Sequence, residues 1–151
     1  LSLRRQRQMC IRDREKAEKI AGICNDRYDS KNVKGGADAD KSDFFNVADI
    51  VLNTGAAGIQ LMSEEHIKDS NTLKICADTN AVPPSGIAGV EVMDNGKVID
   101  MSPSKCLGIG ALAIGNIKYK SQHECLKLMY TSEKPVYLDF EDAFKFAQKS
   151  V

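Results

Sequence analysis

Apolar residues at Ala17, Ile20, Ala21, Ile23 and Cys24 recur at helical spacing with charged residues between them, which predicts an amphipathic helix over residues 15–28. Residues 29–32 are polar, and Gly35-Gly36 breaks the chain again. A short helix is expected over 40–47. The pattern then changes: Asp49-Ile50-Val51-Leu52-Asn53 is a short apolar run with β-branched residues that enters Thr54-Gly55-Ala56-Ala57-Gly58. That reads as a buried strand ending in a loop of small residues. Residues 63–69 predict a short helix with Ser63 as N-cap and Glu64 and Glu65 in the first turn. Residues 73–77 form the next strand, closed by Asp78-Thr79-Asn80 and by Pro83-Pro84, which continue neither helix nor ladder. Asp94-Asn95-Gly96 predicts a hairpin turn. Residues 107–117 are apolar and carry Gly108, Gly110 and Gly115, and Lys118 and Lys120 read as a solvated strand edge or as a pair that faces an acidic substrate. Two closing helices are expected over 123–130 and 140–149, the second with Phe140, Phe144 and Ala147 on one face. Strands that alternate with helices imply an α/β protein with a mostly parallel sheet.

Composition narrows the class. The 151 residues suit one domain. Lys plus Arg and Asp plus Glu number 21 each, so no net field recruits nucleic acid or an anionic membrane. No apolar run approaches the roughly 18 residues of a membrane span. The five cysteines, Cys10, Cys24, Cys76, Cys106 and Cys125, show neither CxxC nor Cys/His ligand spacing, so reduced thiols, a cytoplasmic location and no metal are expected. Cys76, in an apolar run, reads as a small core residue.

The stretch Arg4 to Arg14, RRQRQMCIRDR, differs from all that follows. It resembles a translated reading frame of the transposon adapter used to prepare sequencing libraries. The alternative is a basic arm that binds phosphate. On the adapter reading, residues 1–14 are not native and the sequence upstream of Glu15 is lost.

Ligands of parallel α/β sheets bind beyond the carboxyl ends of the strands. One such end is Asn53 to Gly58, where small side chains admit a flat or anionic group to the main chain, or simply permit a tight turn. The other is Ala77 to Ile87, where Asp78 and Asn80 stand before a loop stiffened by two prolines. Asn80 can offer a ligand both donor and acceptor, or it can close an Asx-turn on its own backbone. His66 reads as an exposed helix residue, and His123 beside Glu124 as an acid/base residue or, more commonly for such a position, a cap or surface group. Gly108-Ile109-Gly110 is an incomplete GxGxxG in which no helix is expected to open behind a first strand.

The run ADTNAVPPSGIAGVEVMDNGK, Ala77 to Lys97, resembles the ADxNAxPPxGIxG signature of the NAD(P)-dependent methylene-tetrahydromethanopterin dehydrogenases. NTGAAGIQLM, Asn53 to Met62, is similar to that family's strand-end loop, and CLGIGALAIGNIKYKSQHECLKLMY, Cys106 to Tyr130, to its Gly-rich segment and following helix. The resemblance implies a Rossmann-like α/β fold, here incomplete, with the first strand and its phosphate-cradling Gly-rich turn missing. Residues 15–118 would be the C-terminal portion of the NAD(P)-binding domain. Residues 119–151 would be helices packed on that core or on an absent N-terminal domain. It further implies hydride transfer from 5,10-methylene-tetrahydromethanopterin, or the tetrahydrofolate analogue, to NADP or NAD, in a homo-oligomeric enzyme of one-carbon metabolism. Thr54, Gly55, Ala56 and Gly58 would line the dinucleotide, and Asn80, Ala81 and Pro83 the nicotinamide. The basic residue that selects the phosphate of NADP would fall at Lys16. No catalytic residue is assigned. Alternatives are another Rossmann dehydrogenase, of methylene-tetrahydrofolate or shikimate type, and a nucleotide-binding module without chemistry.

Overall fold

A computed structural model describes residues 14–150. The adapter-like residues 1–13 lie outside the described residues, and with them Cys10. Helix α1 spans Arg14–Arg27, close to the predicted bounds, and ends in a turn at Asp29, whose φ is +47°. Arg14 donates to both carboxylate oxygens of Asp40 at 2.7 Å, and Asn25 donates to Val33 O while accepting from Val33 N, so the connecting segment is tied back to the helix. Helix α2, Lys41–Val47, leads into strand β1, Ile50–Asn53. Helix α3, Glu64–Asp69, with Ser63 as N-cap, leads into strand β2, Ile75–Asp78. Strands β3, Asn95–Val98, and β4, Leu107–Ile109, precede helix α4, Ala111–Thr131, and helix α5, Phe140–Gln148.

The sheet order is β1-β2-β4-β3. β1 with β2 and β2 with β4 are parallel, and β3 with β4 is antiparallel. The expected α/β architecture with a mostly parallel, Rossmann-like sheet is therefore present. Its register places Val51 and Cys76 on one face, where they join Phe45, Met62, Ile67, Leu73, Ile87, Val90, Ile99 and Cys106 in the buried core. Ile50, Leu52, Val98 and Leu107 lie on the opposite face and are exposed. Parallel sheets are mostly covered on both faces, whereas the second face of this one leaves apolar side chains exposed on β1, β4 and β3.

Two expectations fail in the second half of the chain. Asp94-Asn95-Gly96 is not a hairpin turn. Gly96, at φ +81°, lies inside β3 where the register shifts between Asn95 and Lys97, so its left-handed backbone makes a bulge. Asp94 instead closes the preceding turn, its carboxylate accepting from Glu91 N at 2.8 Å. The Gly-rich segment is also helical from Ala111 onward, twelve residues before the expected start, so Lys118 and Lys120 are helical residues and not a strand edge. Residues 118 and 119 are consecutive within α4. Helix α5 forms where its periodicity placed it, with the Asp139 side chain accepting from Glu141 N, and it packs against α4. Its Phe140 and Phe144 nevertheless remain exposed.

Cys76 and Cys106 are fully buried, as expected of Cys76, and desolvation pushes both thiols above the usual range. For Cys76 the neighbouring Cys106 adds to the rise. The native state therefore holds these protons after an unfolded thiol, of pKa about 8.5, has released its own. Stability contributed by the neutral thiols is present below about pH 8.5 and is lost as pH rises beyond it. Urea midpoints are expected to fall between pH 7 and pH 10, and to fall less in Cys76→Ala. An identical pH response in the two proteins refutes the linkage.

Candidate functional site

Parallel pairing of β1 with β2 brings Asn53 opposite Asp78, so both strand ends named in the sequence meet at one end of the sheet. Asn53 and Asp78 are almost wholly buried, and Asn53 Nδ2 donates to Asp78 Oδ1 at 2.8 Å. Asp78 Oδ1 also accepts from Asn80 N at 2.9 Å, and Asp78 Oδ2 from Ile87 N at 3.0 Å. Among the described residues no Lys or Arg forms an ion pair with Asp78. Its charge is met by N–H donors alone, the arrangement that a buried carboxylate requires when no cation is at hand.

Each strand end closes with an Asx-turn. Asn53 Oδ1 accepts from Gly55 N at 3.0 Å, Asp78 from Asn80 N, and Asn80 Oδ1 from Val82 N at 3.0 Å. Asn80 Oδ1 also accepts from Gly58 N at 3.4 Å, and its Nδ2 donates to Pro84 O at 3.0 Å. Of the two roles open to Asn80 from sequence, the structure displays the backbone one: the side chain is buried and spans both loops. Thr79 adds a second tie, donating from N and Oγ1 to Asn53 O. Further along, Leu61 N and Met62 N donate to Gly86 O, and Met62 O accepts from Ala88 N. The two loops are thus one slab.

The outer surface of that slab carries Thr54, Ala57, Ala81, Val82 and Pro83, all exposed, with Gly55, Ala56 and Gly58 partly so. Neither 54–63 nor 79–90 contains a charged residue. A flat ring suits such a surface; a phosphate would find main-chain N–H groups and the Thr54 hydroxyl there, but no cation. Lys16 lies in the first turn of α1, half-buried. The two residues that sequence reasoning left unassigned in this network are Asn53 and Gly86. A polar residue ending an otherwise apolar strand was the available signal for Asn53; for Gly86 it was its fixed place in the PPxGI part of the family signature.

Two other candidates separate from the site. A helix does open behind Gly108-Ile109-Gly110, contrary to expectation, but two N–H groups at its start are already taken: Leu112 N donates to Val92 O at 3.0 Å and Gly110 N to Asp94 O at 2.8 Å. Those donors are not available to a phosphate. His66 is half-buried, not an exposed helix residue. Its Nδ1 accepts from Ser63 N at 3.1 Å, which leaves Nε2 to donate to Ser42 Oγ at 3.1 Å, and its ring meets the edge of Phe45. It joins α2 to α3. His123 is exposed on α4, 3.5 Å from Glu124. Among the described residues no group of three His, Cys, Asp or Glu could hold a metal ion, and no helix is long and apolar enough to cross a membrane.

Fold and strand-end geometry together define an α/β protein of the Rossmann-like class. The chain is similar in sequence to a methylenetetrahydromethanopterin dehydrogenase, the family its motifs resemble. It is 41% identical over 100 residues to the NAD(P)-dependent methylenetetrahydromethanopterin dehydrogenase of Methylorubrum extorquens, covering 66% of this chain and 33% of that protein. It is 31% identical over 144 residues to the bifunctional protein MdtA of the same organism, covering 93% of this chain and 48% of that protein. The chain therefore spans between a third and about half the length of these relatives. No protein-family model matches it.

Proposed function

We propose that this chain is the C-terminal portion of a dehydrogenase that moves a hydride from 5,10-methylene-tetrahydromethanopterin, or its tetrahydrofolate analogue, to NAD(P), giving the methenyl pterin. The observation that carries the reading is the uncharged slab at the carboxyl ends of adjacent parallel strands, in a chain related to dehydrogenases of that name. Thr54, Gly55, Ala56 and Gly58 would line the dinucleotide, with Ala81 and Pro83 beside the nicotinamide and Asn80 beneath it. Lys16 would face the phosphate that distinguishes NADP. When bound, the nicotinamide would supply the hydride acceptor; the protein would supply an uncharged surface that orients it. The pterin substrate, a cytoplasmic location and a homo-oligomeric whole enzyme belong to the same proposal.

On this reading the 151-residue chain alone gives no NAD(P)-linked oxidation of methylene-pterin, because the phosphate-cradling turn belongs to the remainder of the enzyme. Joined behind the N-terminal portion of the Methylorubrum extorquens dehydrogenase, residues 15–151 are expected to restore NAD(P)H formation. Turnover by the isolated chain would contradict the partial-enzyme assignment. A folded chimera that fails to bind NAD(P)H would contradict the dehydrogenase reading.

A further inference from the structure

Three groups face the Asp78 carboxylate, and all three are N–H donors: Asn53 Nδ2, Asn80 N and Ile87 N. From them the hydrogen bonds run outward in two directions. Through Asn53 they reach Gly55 in the loop after β1. Through Asn80 they reach Val82 and Pro84 in the loop after β2 and return to Gly58 in the first. We propose that Asp78 is a positioning residue: from beneath the strand ends it holds the two loops as a single surface on which the nicotinamide ring lies. The ring's identity rests on the dehydrogenase reading above; the coupling of the loops rests on the geometry alone.

The chemistry requires a carboxylate at this position. An ionised carboxylate only accepts, so it satisfies three converging donors, whereas an amide turns an NH2 toward at least one of them in either orientation. In Asp78→Asn the amide protons of Gly55, Asn80 and Ile87 are expected to exchange about tenfold faster, as opening one buried hydrogen bond implies, with Val51 and Ile99 as protected as before. Affinity for the probe, nicotinamide mononucleotide, is expected to fall by a similar factor of about ten. Unchanged exchange at Gly55 and Ile87 would overturn the proposal.

Combining Asn53→Asp with Asp78→Asn separates positioning from general loss of stability. The exchanged pair restores the carboxylate–amide contact with its roles reversed. The carboxylate introduced at position 53 would accept from Gly55 N and from the new amide at position 78, whose oxygen would accept from Ile87 N. Protection of Gly55 and Ile87 should recover, and that of Asn80 should not. A double variant less protected at Gly55 and Ile87 than either single variant would overturn the proposal.

If Asp78→Asn does not fold, the unaltered chain still decides. Nicotinamide mononucleotide is expected to shift the side-chain NH2 resonances of Asn53 and Asn80 together with the Ile87 amide, and shifts confined to one loop would refute the coupling. Failure of the unaltered chain to bind the probe would defeat the nicotinamide reading, and exchange in the variants would then judge the coupling by itself.

Discussion

Gly86→Ala is expected to lower unfolding free energy by about 3 kcal/mol, through overpacking and the opening of one buried and one part-buried hydrogen bond. A Cβ at this position would collide with Asn53 Nδ2 and sit 2.8 Å from Asp78 Oδ1. Neither side chain has a free place to go. Asn53 Nδ2 is bonded to Asp78 and Asn53 Oδ1 to Gly55 N, so displacing Asn53 opens both contacts in a buried setting. Backbone retreat at Gly86 is no easier, because its carbonyl accepts from both Leu61 N and Met62 N. Urea unfolding measures the effect; a midpoint equal to that of the unaltered chain would mean that the slab yields without cost. Here the smallest side chain is demanded by contact with a strand far earlier in the chain, not by a turn.

Ile87→Ala is expected to cost about 2–5 kcal/mol, the range for deleting a fully buried aliphatic side chain and leaving a cavity. Ile87 is 0% exposed and packs in the core with Met62, with which it also forms a parallel bridge. Earlier in the same loop, Val82 is 52% exposed, so Val82→Ala should change stability by no more than about 0.5 kcal/mol. The pair tests whether this Pro-Pro loop has an inside and an outside. Equal effects for the two substitutions would show that it does not. A differential of this kind is firmer than any absolute sum of buried area, since errors in the unfolded reference largely cancel.

Legibility along the chain follows the range of the forces involved. Helix α1 was readable because five apolar residues at helical spacing need no knowledge of what they pack against. β1 and β2 were readable as short apolar runs closed by small residues or prolines, although β2 extends one residue further than expected, to Asp78. That residue matters: inside the strand, Asp78 is in register with Asn53 and is buried, not displayed to a ligand. The segment from Gly108 to Gly115 misled for the opposite reason. Glycine suits loops, bulges and helix caps alike, and only the carbonyls of Val92 and Asp94, supplied by a distant turn, select the helical start. Asp94-Asn95-Gly96 failed similarly: a left-handed glycine serves a bulge as well as a turn, and the pairing partner in β4 decides.

The family motif carried the candidate site further than residue physics alone. It marked Asn53 to Met62 and Ala77 to Lys97, and the folded chain brings the ends of those two segments into contact. It did not tell what the polar residues within them do. Asn80 could be read as meeting a ligand or its own backbone, because an amide suits both.

By itself the sequence determined the order of the elements up to β2, the parallel α/β class, and the absence of charge from both strand-end loops. These are properties of local spacing and composition, and they survive any arrangement in space. The tertiary structure decided that Asn53, Asp78, Asn80 and Gly86 form one interlocked group, that His66 joins two helices, and that Gly110 N and Leu112 N at the start of α4 bond to an earlier turn. Each of those depends on a hydrogen-bond partner from another part of the chain. A polar side chain does not encode its partner; burial removes water from the choice, and the register of β1 against β2 then fixes which N–H the Asp78 carboxylate must accept.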